Sequence, residues 1–149
     1  MKLALGADHA GVGMKDRLAV WLRGEGHDVI EVWPERPDPN DDYPDAAVAV
    51  GRAVVSGRAE RGVLICGSGV GAAVAANKIR GVRAGLCHDT YSAHQGVEHD
   101  DVNVLCLGSR VIGEATAQEL LRAFLAARFT GEERHLRRLK KTMALEGDR

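Results

Sequence analysis

A cysteine at the head of a glycine-rich loop is the first feature of this chain that could do chemistry. Residues 62–78, GVLICGSGVGAAVAANK, run from a short apolar segment through Cys66 into glycines at every second position, and then into an alanine-rich helical segment. The glycines allow a tight turn that points several N–H groups at one place, and the start of the helix adds partial positive charge. The pattern indicates an anion site, or else a tight turn without a ligand.

The loop fits neither common nucleotide motif, since the dinucleotide fingerprint needs GxGxxG and the P-loop needs Lys and Ser or Thr after its last glycine. A thiol beside convergent N–H groups is stabilised as a thiolate, which makes Cys66 a candidate nucleophile or base. Alternatively Cys66 is, like Cys87 and Cys106, a small buried hydrophobic side chain at a strand end. No Cys and His spacing is typical of zinc, so we expect no metal and no cofactor.

Five short aliphatic segments recur along the chain and predict five β-strands. They occupy residues 2–8, 28–33, 62–66, 82–87 and 103–108. Helical spacing separates them, with apolar side chains repeating every three or four residues after Met14 and again after Ala117. Strands that are apolar on both faces and alternate with helices predict an α/β fold, with a parallel sheet covered by helices on both sides.

Parallel sheets of this kind bind ligands beyond the carboxyl ends of their strands, where the strand order reverses. For the order 2-1-3-4-5, which we predict here, that point lies between the first and third strands. The first strand ends at Asp8-His9 and the third at Cys66. We therefore expect these side chains to meet at one site.

The composition is that of one globular domain, residues 1–149, with 45% apolar and 28% charged residues. Its 20 basic and 21 acidic residues give a net charge of −1, so we expect neither nucleic acid nor a membrane as a partner. No apolar run approaches the ~20 residues that span a bilayer, and the N-terminal segment turns polar too early for a signal peptide. The three cysteines are an odd number, which favours reduced thiols and a cytoplasmic protein.

Two segments stand outside the alternation of strands and helices. Residues 34–44 hold all four prolines and much of the local acidity, which predicts an irregular loop or lid. Residues 90–103 place two histidines and two aspartates just before the fifth strand.

The C-terminal segment, residues 130–149, predicts a basic, amphipathic helical arm. Arg134 and Arg138 are four residues apart, so both could grip one phosphate from the same helix face. The alternatives are a solvated face or a nucleic-acid patch, and the net charge and lack of interleaved aromatic residues argue against the second. The other side of the helix is apolar, at Leu136, Leu139 and Met143. A free helix would expose this stripe, so we expect a second subunit to cover it.

Several motifs, in order along nearly the whole chain, resemble the ribose-5-phosphate isomerase B family, whose relatives act on galactose 6-phosphate and allose 6-phosphate. The motifs are Asp8-His9, Asp42-Tyr43-Pro44, residues 65–71, residues 75–78, Tyr91-Ser92-Ala93, His99-Asp100, residues 103–105 and Gly108-Ser109-Arg110. The resemblance implies a Rossmann-like three-layer sandwich and cofactor-free interconversion of ribose 5-phosphate and ribulose 5-phosphate through a cis-enediolate. It also implies a homodimer or a dimer of dimers with shared sites.

The resemblance implies a role for each catalytic side chain. Cys66 is the base that moves a proton between C1 and C2, while His99 opens the furanose ring and Asp8 assists at the anomeric hydroxyl. Ser68 helps to shuttle the proton. The N–H groups that stabilise the enediolate are those of Gly67, Ser68, Gly69, Val70 and Gly71. From the residues alone, the alternatives are that His99 is a loop histidine without a role and that the glycine loop holds the phosphate.

The resemblance further implies a set of substrate-binding residues. Besides Asp8 and the glycine loop, these are His9, Tyr43, Asp100, Arg110, Arg134 and Arg138. By this resemblance, His9 and the two arginines of the arm bind the phosphate, whereas Tyr43 lines the sugar site. Asp100 stands where the family commonly has Asn, which removes a hydrogen-bond donor and adds negative charge near an anionic substrate.

Two other functions remain open besides a pentose-phosphate isomerase. One is a hexose-6-phosphate isomerase, for allose or galactose 6-phosphate, with the same machinery and a roomier sugar site. The other is a non-catalytic sugar-phosphate or nucleotide-binding module on the same sheet. Such a module would bind without turnover and would tolerate replacement of Cys66.

Overall fold

The computed structural model describes residues 1–34, 36 and 38–148, in which strands and helices alternate. The strands are β1 Lys2–Ala7, β2 Asp28–Trp33, β3 Arg61–Cys66, β4 Ala84–Leu86 and β5 Val104–Gly108. The helices are α1 Val12–Gly24, α2 Tyr43–Val55, α3 Val70–Ala76, α4 Thr90–Asp100, α5 Glu114–Ala126 and α6 Glu133–Ala144, followed by a 3-10 turn, Leu145–Asp148. Glu35 and Pro37 of the predicted loop, and Arg149 of the predicted arm, lie outside the described residues. None of the helices in the described part of the chain is both long and apolar enough to cross a bilayer.

All five strands run parallel in one sheet with the order β2-β1-β3-β5-β4. The helices α1, α4 and α5 cover one face over a core that includes Leu18, Val97 and Phe124. The helices α2 and α3 cover the other face, with Val50 and Ala72 buried beneath them. The predicted α/β, Rossmann-like, three-layer sandwich with a five-stranded parallel sheet is therefore confirmed.

The predicted order of the last two strands is wrong, because β5 and not β4 pairs with β3. All five residues of β5 are buried, and its ladder with β3 extends from Gly62–Val104 to Cys66–Gly108. Only three residues form β4, and none of them is fully buried, which suits an edge position. Because β5 takes the position next to β3, its carboxyl end, with Gly108 and the turn after it, lies next to Cys66.

The two segments outside the alternation are more regular than their sequences suggest. The irregular stretch after β2 ends at Asp42, because α2 begins at Tyr43 with Pro44 in its first turn, where a proline ring fits. The histidine-rich segment forms α4, whose N-terminus is capped by Asp89 accepting the Ser92 N–H at 2.7 Å. His99 thus lies in the last turn of a helix.

The C-terminal arm forms the predicted helix, α6, and folds back on its own chain. Leu139 and Met143 line a cleft beside β4, and the Glu146 carboxylate accepts the Gly81 N–H at 3.1 Å. Leu136 remains 40% exposed. Two of the three apolar side chains that we expected to meet a second subunit therefore lie in a cleft of the same chain.

Candidate active site

An open pocket of about 390 Å³ lies at the carboxyl ends of β1, β3 and β5. It is built from the ends of β1 and β3, the start of α2 and the turn after β5. The predicted site residues that line it are Asp8, His9, Tyr43, Cys66, Gly67, Ser68, Gly71 and Arg110. Since β1 and β3 are hydrogen-bonded neighbours, the fold brings Asp8-His9 and Cys66 together at the switch in strand order.

The Cys66 thiol is held by its own loop. The Gly69 N–H donates a hydrogen bond to Cys66 Sγ at 3.0 Å, which fixes the position of the sulfur at the head of the loop. Gly69 has φ +79°, and a Cβ there would lie 2.5 Å from Leu86 Cδ1 and 2.9 Å from the Leu107 carbonyl carbon. Only glycine can therefore place this N–H against the sulfur.

The other two cysteines lie in the interior and fit the interpretation as small hydrophobic side chains. Burial raises the pKa of Cys87, and it raises the pKa of Cys106 more strongly. Both thiols are therefore kept protonated at neutral pH.

Of the other N–H groups in the loop, some donate a hydrogen bond within the protein and others do not. The Val70 N–H donates to Ser68 Oγ at 3.2 Å, which orients the serine hydroxyl at the pocket rim. The N–H groups of Gly67 and Ser68 make no hydrogen bond to any other described residue. These two are among the loop donors available to an oxyanion beside Cys66.

Two glycines of the loop have no side chain of their own and so leave room for larger side chains to pack against the loop. A Cβ at Gly71 would lie 2.8 Å from Tyr43 Cζ, so the phenol ring packs directly on the start of α3. A Cβ at Gly67 would lie 3.6 Å from the Arg110 guanidinium group. Backbone hydrogen bonds from Ser109 to Cys66 and from Arg110 to Gly67 tie the two loops together. Tyr43 and Arg110 thus both form part of the pocket wall, against Gly71 and Gly67 respectively.

The Asp8 carboxylate is oriented by the turn that follows β1. It is buried, and its Oδ1 accepts the N–H groups of Ala10 and Gly11, each at 3.0 Å. A Cβ at Gly11 would collide with the Ile65 carbonyl oxygen, so the turn can sit this close to β3 only with glycine. The second carboxylate oxygen of Asp8 is left to act in the pocket.

His9 is paired with a carboxylate that the motifs do not include. Both the backbone N–H and Nδ1 of His9 lie 2.8 Å from Asp41 Oδ1. This hydrogen bond is the main cause that raises the pKa of His9 above its usual range, and the charges of Asp8 and Asp41 add to it.

A second group of predicted site residues lies on the side of the sheet where the strands begin, opposite to the pocket. It consists of His99, Asp100, Arg134 and Arg138. The helix α4 returns the chain from the carboxyl end of β4 to the start of β5, so its last turn lies at the amino ends of the strands. The five residues of β5 then cross the sheet, about 16 Å at the usual rise per residue. Within one chain this group does not meet the Cys66 pocket.

The His99 ring is held by two neighbours. Its Nδ1 lies 2.8 Å from Gln95 Nε2, so the amide donates and the neutral imidazole carries its proton on Nε2. The ring stacks on His135 with 4.1 Å between centroids and 28° between planes. His135 is buried, its Nδ1 is 2.7 Å from Thr130 Oγ1, and burial lowers its pKa. A neutral His135 can lie against His99 without charge repulsion.

The arginines of the arm lie close to this histidine pair. The Thr130 N–H donates to the Glu98 carbonyl at 2.9 Å, which joins the start of the arm to α4. Arg134 and Arg138 are both exposed one turn apart on α6, as their spacing predicts. Asp100 is also exposed and lines the cleft between α4 and α6. The second group therefore presents two guanidinium groups, a carboxylate and an imidazole N–H to a ligand or a partner that binds at the amino ends of the strands.

Comparison with known proteins assigns the chain to a family. Residues 3–142 match the family model of ribose/galactose isomerases. The chain is 40% identical over 147 residues to ribose-5-phosphate isomerase B of Escherichia coli, covering 97% of this chain and 96% of that protein. It is 38% identical over 131 residues to D-erythrulose-4-phosphate isomerase of Pectobacterium atrosepticum, covering 88% and 86%. The structure of Clostridium thermocellum ribose-5-phosphate isomerase B matches with a TM-score of 0.95 at 39% identity, covering 99% of each chain.

This chain belongs to the ribose/galactose isomerase family. The resemblance to ribose-5-phosphate isomerase B is thereby confirmed, and the chain has the family and the fold of the sugar phosphate isomerases. The relatives differ in the sugar phosphate that they are named for, so membership leaves the substrate open. Within the described residues, no group of three or more His, Cys, Asp or Glu side chains is placed to hold a metal ion. That catalysis needs no metal and no cofactor stays a prediction.

Sequence reasoning missed three residues that act on predicted site residues: Asp41, Gln95 and His135. Asp41 falls in a segment without periodicity, and only its position after β2, the neighbour of β1, could have indicated an approach to His9. Gln95 lies four residues before His99, the spacing at which two side chains meet on a helix, so this contact could have been found. His135 depends on how α6 docks, which no local pattern reveals.

Proposed function

We propose that the protein is a cofactor-free aldose–ketose isomerase that interconverts ribose 5-phosphate and ribulose 5-phosphate. The observation that carries this proposal is the Cys66 thiol, which accepts the Gly69 N–H and opens on a pocket that also contains the Asp8 carboxylate. Isomerisation needs one base near C1 and C2 and a site for the enediolate oxygen. The Cys66 loop offers both within a few residues.

The Cys66 thiolate takes the proton from C2 of the open-chain aldose and returns it to C1. The electrons of the broken C–H bond form the cis-enediolate, whose oxygens receive hydrogen bonds from the N–H groups of Gly67 and Ser68. The Ser68 hydroxyl, oriented by Val70, moves the proton between the two oxygens. Transfer of the thiol proton to C1 gives the ketose and regenerates the thiolate, without any external oxidant or reductant.

Ring opening precedes this step, because ribose 5-phosphate is mostly a closed furanose. The ring oxygen needs a proton donor, and the proton comes from Nε2–H of the His99 imidazolium, which becomes a neutral imidazole, while Gln95 holds the ring at Nδ1. The anomeric hydroxyl needs a proton acceptor, which is the free oxygen of Asp8. These two groups cannot reach one sugar within a single chain, since they lie at opposite edges of the sheet.

A second copy of the chain therefore completes each site. One chain supplies Asp8, His9, Tyr43 and Cys66, and its partner supplies His99, Asp100, Arg134 and Arg138. Apolar side chains of α3, β4 and α4 lie on the surface, with Val70 52%, Val74 58%, Leu86 38% and Tyr91 66% exposed. Exposed large apolar side chains favour an interface, and a twofold dimer would form two equivalent sites.

A four-carbon substrate is the second candidate. It is favoured by the similarity to the D-erythrulose-4-phosphate isomerase, whose identity to this chain is close to that of the Escherichia coli protein. The enolisation chemistry at C1 and C2 would be the same. A six-carbon substrate, allose or galactose 6-phosphate, needs a longer space between the thiol and the arginines of the partner.

Turnover of tetrose, pentose and hexose phosphates by the same preparation tests the proposal, with Cys66→Ala as the decisive variant. Loss of the base should lower kcat by about two or more orders of magnitude on whichever substrate is used. Cys87→Ala removes a buried thiol outside the pocket and is the matched control, expected to stay within a few-fold of the wild type. Full turnover by Cys66→Ala, or binding without turnover by the wild type, would refute the isomerase mechanism.

A further inference from the structure

A buried carboxylate lies behind His9, outside the lining of the pocket. The Asp41 side chain is 5% exposed, whereas that of His9 is 43% exposed. A single oxygen, Asp41 Oδ1, accepts both the backbone N–H and the Nδ1–H of His9, each at 2.8 Å. Two hydrogen bonds from one residue to one oxygen fix the position of the imidazole relative to its own backbone.

The second oxygen of this carboxylate indicates that Asp41 is not kept for stability alone. Asp41 Oδ2 is buried and has no hydrogen-bond partner among the described residues. A buried carboxylate oxygen without a partner destabilises a fold, and such groups are typical of functional sites. Among the described residues, His9 provides the one side chain that hydrogen-bonds or ion-pairs with the Asp41 carboxylate.

Pairing with Asp41 determines what His9 can offer to a ligand. Because Nδ1 donates to the carboxylate, Nε2 is the only ring nitrogen left for the pocket. In the imidazolium form Nε2–H is a charged donor, and in the neutral form Nε2 is an acceptor that repels an anion. The other ionisable groups of the pocket wall are Asp8, Tyr43, Cys66 and Arg110. Asp8 adds a second negative charge that favours the imidazolium, whereas Arg110 opposes it.

The charge state matters because the ligand titrates in the same range. A phosphate monoester becomes a dianion above its second pKa of about 6, whereas an ordinary histidine loses its charge near 6.5. An unassisted histidine would thus lose its proton almost as soon as the phosphate gains its full charge. The Asp41 hydrogen bond raises the pKa of His9, which widens the pH range in which imidazolium and dianion coexist.

We propose that Asp41 is a positioning residue that holds His9 in a fixed orientation and as a cation for the phosphate of the substrate. This inference rests on the proposed function, in which His9 binds the phosphate end of the sugar. Asp41 touches no substrate atom and acts only through His9. Asp41 makes phosphate binding by His9 depend on pH, and it leaves the proton transfer at Cys66 unchanged.

Asp41→Asn is the first test, because the amide oxygen can still accept from His9 while the negative charge is gone. Imidazole nitrogen resonances of the ligand-free protein, followed by NMR against pH and assigned with His9→Gln, should show His9 titrating at lower pH in Asp41→Asn than in the wild type. Asp45→Asn removes an exposed charge from the first turn of α2 and is the matched control, expected to leave the titration unchanged.

Binding of ribitol 5-phosphate, which has no carbonyl group and cannot react, is the second test. At pH 8, Asp41→Asn should bind it about tenfold or more weakly than the wild type, the scale of one charged hydrogen bond, and at pH 6 the two should be nearly equal. In a His9→Gln background, Asp41→Asn should have no further effect on affinity, which a merely structural role of Asp41 would not predict.

An unchanged His9 titration in Asp41→Asn, or an equal loss of affinity at both pH values, would overturn the inference. A wild-type protein that turns over no aldose phosphate would instead overturn the proposed isomerase function. Because the NMR titration needs neither substrate nor turnover, the two failures are distinguishable.

Discussion

The two groups of site residues at opposite edges of the sheet predict that two inactive variants can restore activity to each other. Cys66→Ala lacks the thiol but retains His99, and His99→Asn has the opposite defect. If each site takes its thiol from one chain and its histidine from the partner, a mixed dimer contains one site with both changes and one site with neither. The mixed dimer therefore keeps one of its two sites intact.

The size of the recovery follows from the twofold arrangement. Random reassociation of equal amounts of the two variants makes half of the dimers mixed, and half of the sites in those dimers are intact. The mixture should therefore reach about one quarter of the wild-type kcat per chain on ribose 5-phosphate, and the mixed dimer purified from it about one half. Each parent alone should retain about one hundredth or less, since a general acid or base contributes 10²–10⁴-fold. The signal is at least tenfold above the sum of the parents.

The assay is co-expression with two different affinity tags, sequential purification of the mixed dimer and a coupled measurement of ribulose 5-phosphate formation. Cys66→Ala paired with Cys66→Ser is the control, because both of its sites lack the thiol and no recovery is expected. A purified mixed dimer no more active than its parents would show that thiol and histidine do not meet across an interface. A fully active wild-type monomer in light scattering would show the same.

Two further predictions concern ring opening and the thiol loop. His99→Asn should lose much more turnover on ribose 5-phosphate than on erythrose 4-phosphate, because a tetrose 4-phosphate has no free hydroxyl that can close a five-membered ring; equal losses on both would contradict the role of His99. Gly69→Ala should lower the free energy of unfolding by about 2 kcal/mol or more in urea titrations and should lower kcat, since its Cβ meets Leu86 and Leu107 and moves the N–H away from the sulfur. Gly26→Ala, with φ +86° and nothing within 4 Å of its Cβ, is the control and should cost only about 1 kcal/mol with unchanged kcat.

The sheet could be predicted from the sequence because buried parallel strands are apolar on both faces and so stand out from the amphipathic helices between them. The order of β4 and β5 in the sheet could not be predicted from the sequence. Residues 82–87 are as apolar as residues 103–108, and Val82 and Cys87 are indeed buried, yet only Ala84–Leu86 pair with β5. Which segment takes the central position depends on pairing with β3, and local composition does not record it.

The half of the site at the carboxyl ends of β1 and β3 could be predicted because strand topology alone brings Asp8 and Cys66 together. The same rule places His99 far away, since a crossover helix returns its last turn to the amino ends of the strands. Family motifs group His99 with Cys66 without regard to chain, so they could not reveal this separation. The Asp41–His9 and His99–His135 contacts depend on loop and arm docking, which has no signature of its own.

Separation of the site into two halves bears on how one fold serves sugars of different length. In the proposed mechanism the thiol, Asp8 and the loop N–H groups act on C1 and C2, which every aldose phosphate presents in the same way, and all of them come from one chain. The ring oxygen and the phosphate lie at positions that change with chain length, and in the proposed dimer His99, Arg134 and Arg138 of the partner reach them. Relatives named for a five-carbon and a four-carbon phosphate are 40% and 38% identical to this chain, so overall identity does not decide between them. Loss of Cys66 should lower turnover of both substrates alike, whereas changes at the partner's edge should alter their ratio. It is therefore the ratio of pentose to tetrose turnover, and not the rate on either substrate, that reports on the residues setting substrate length.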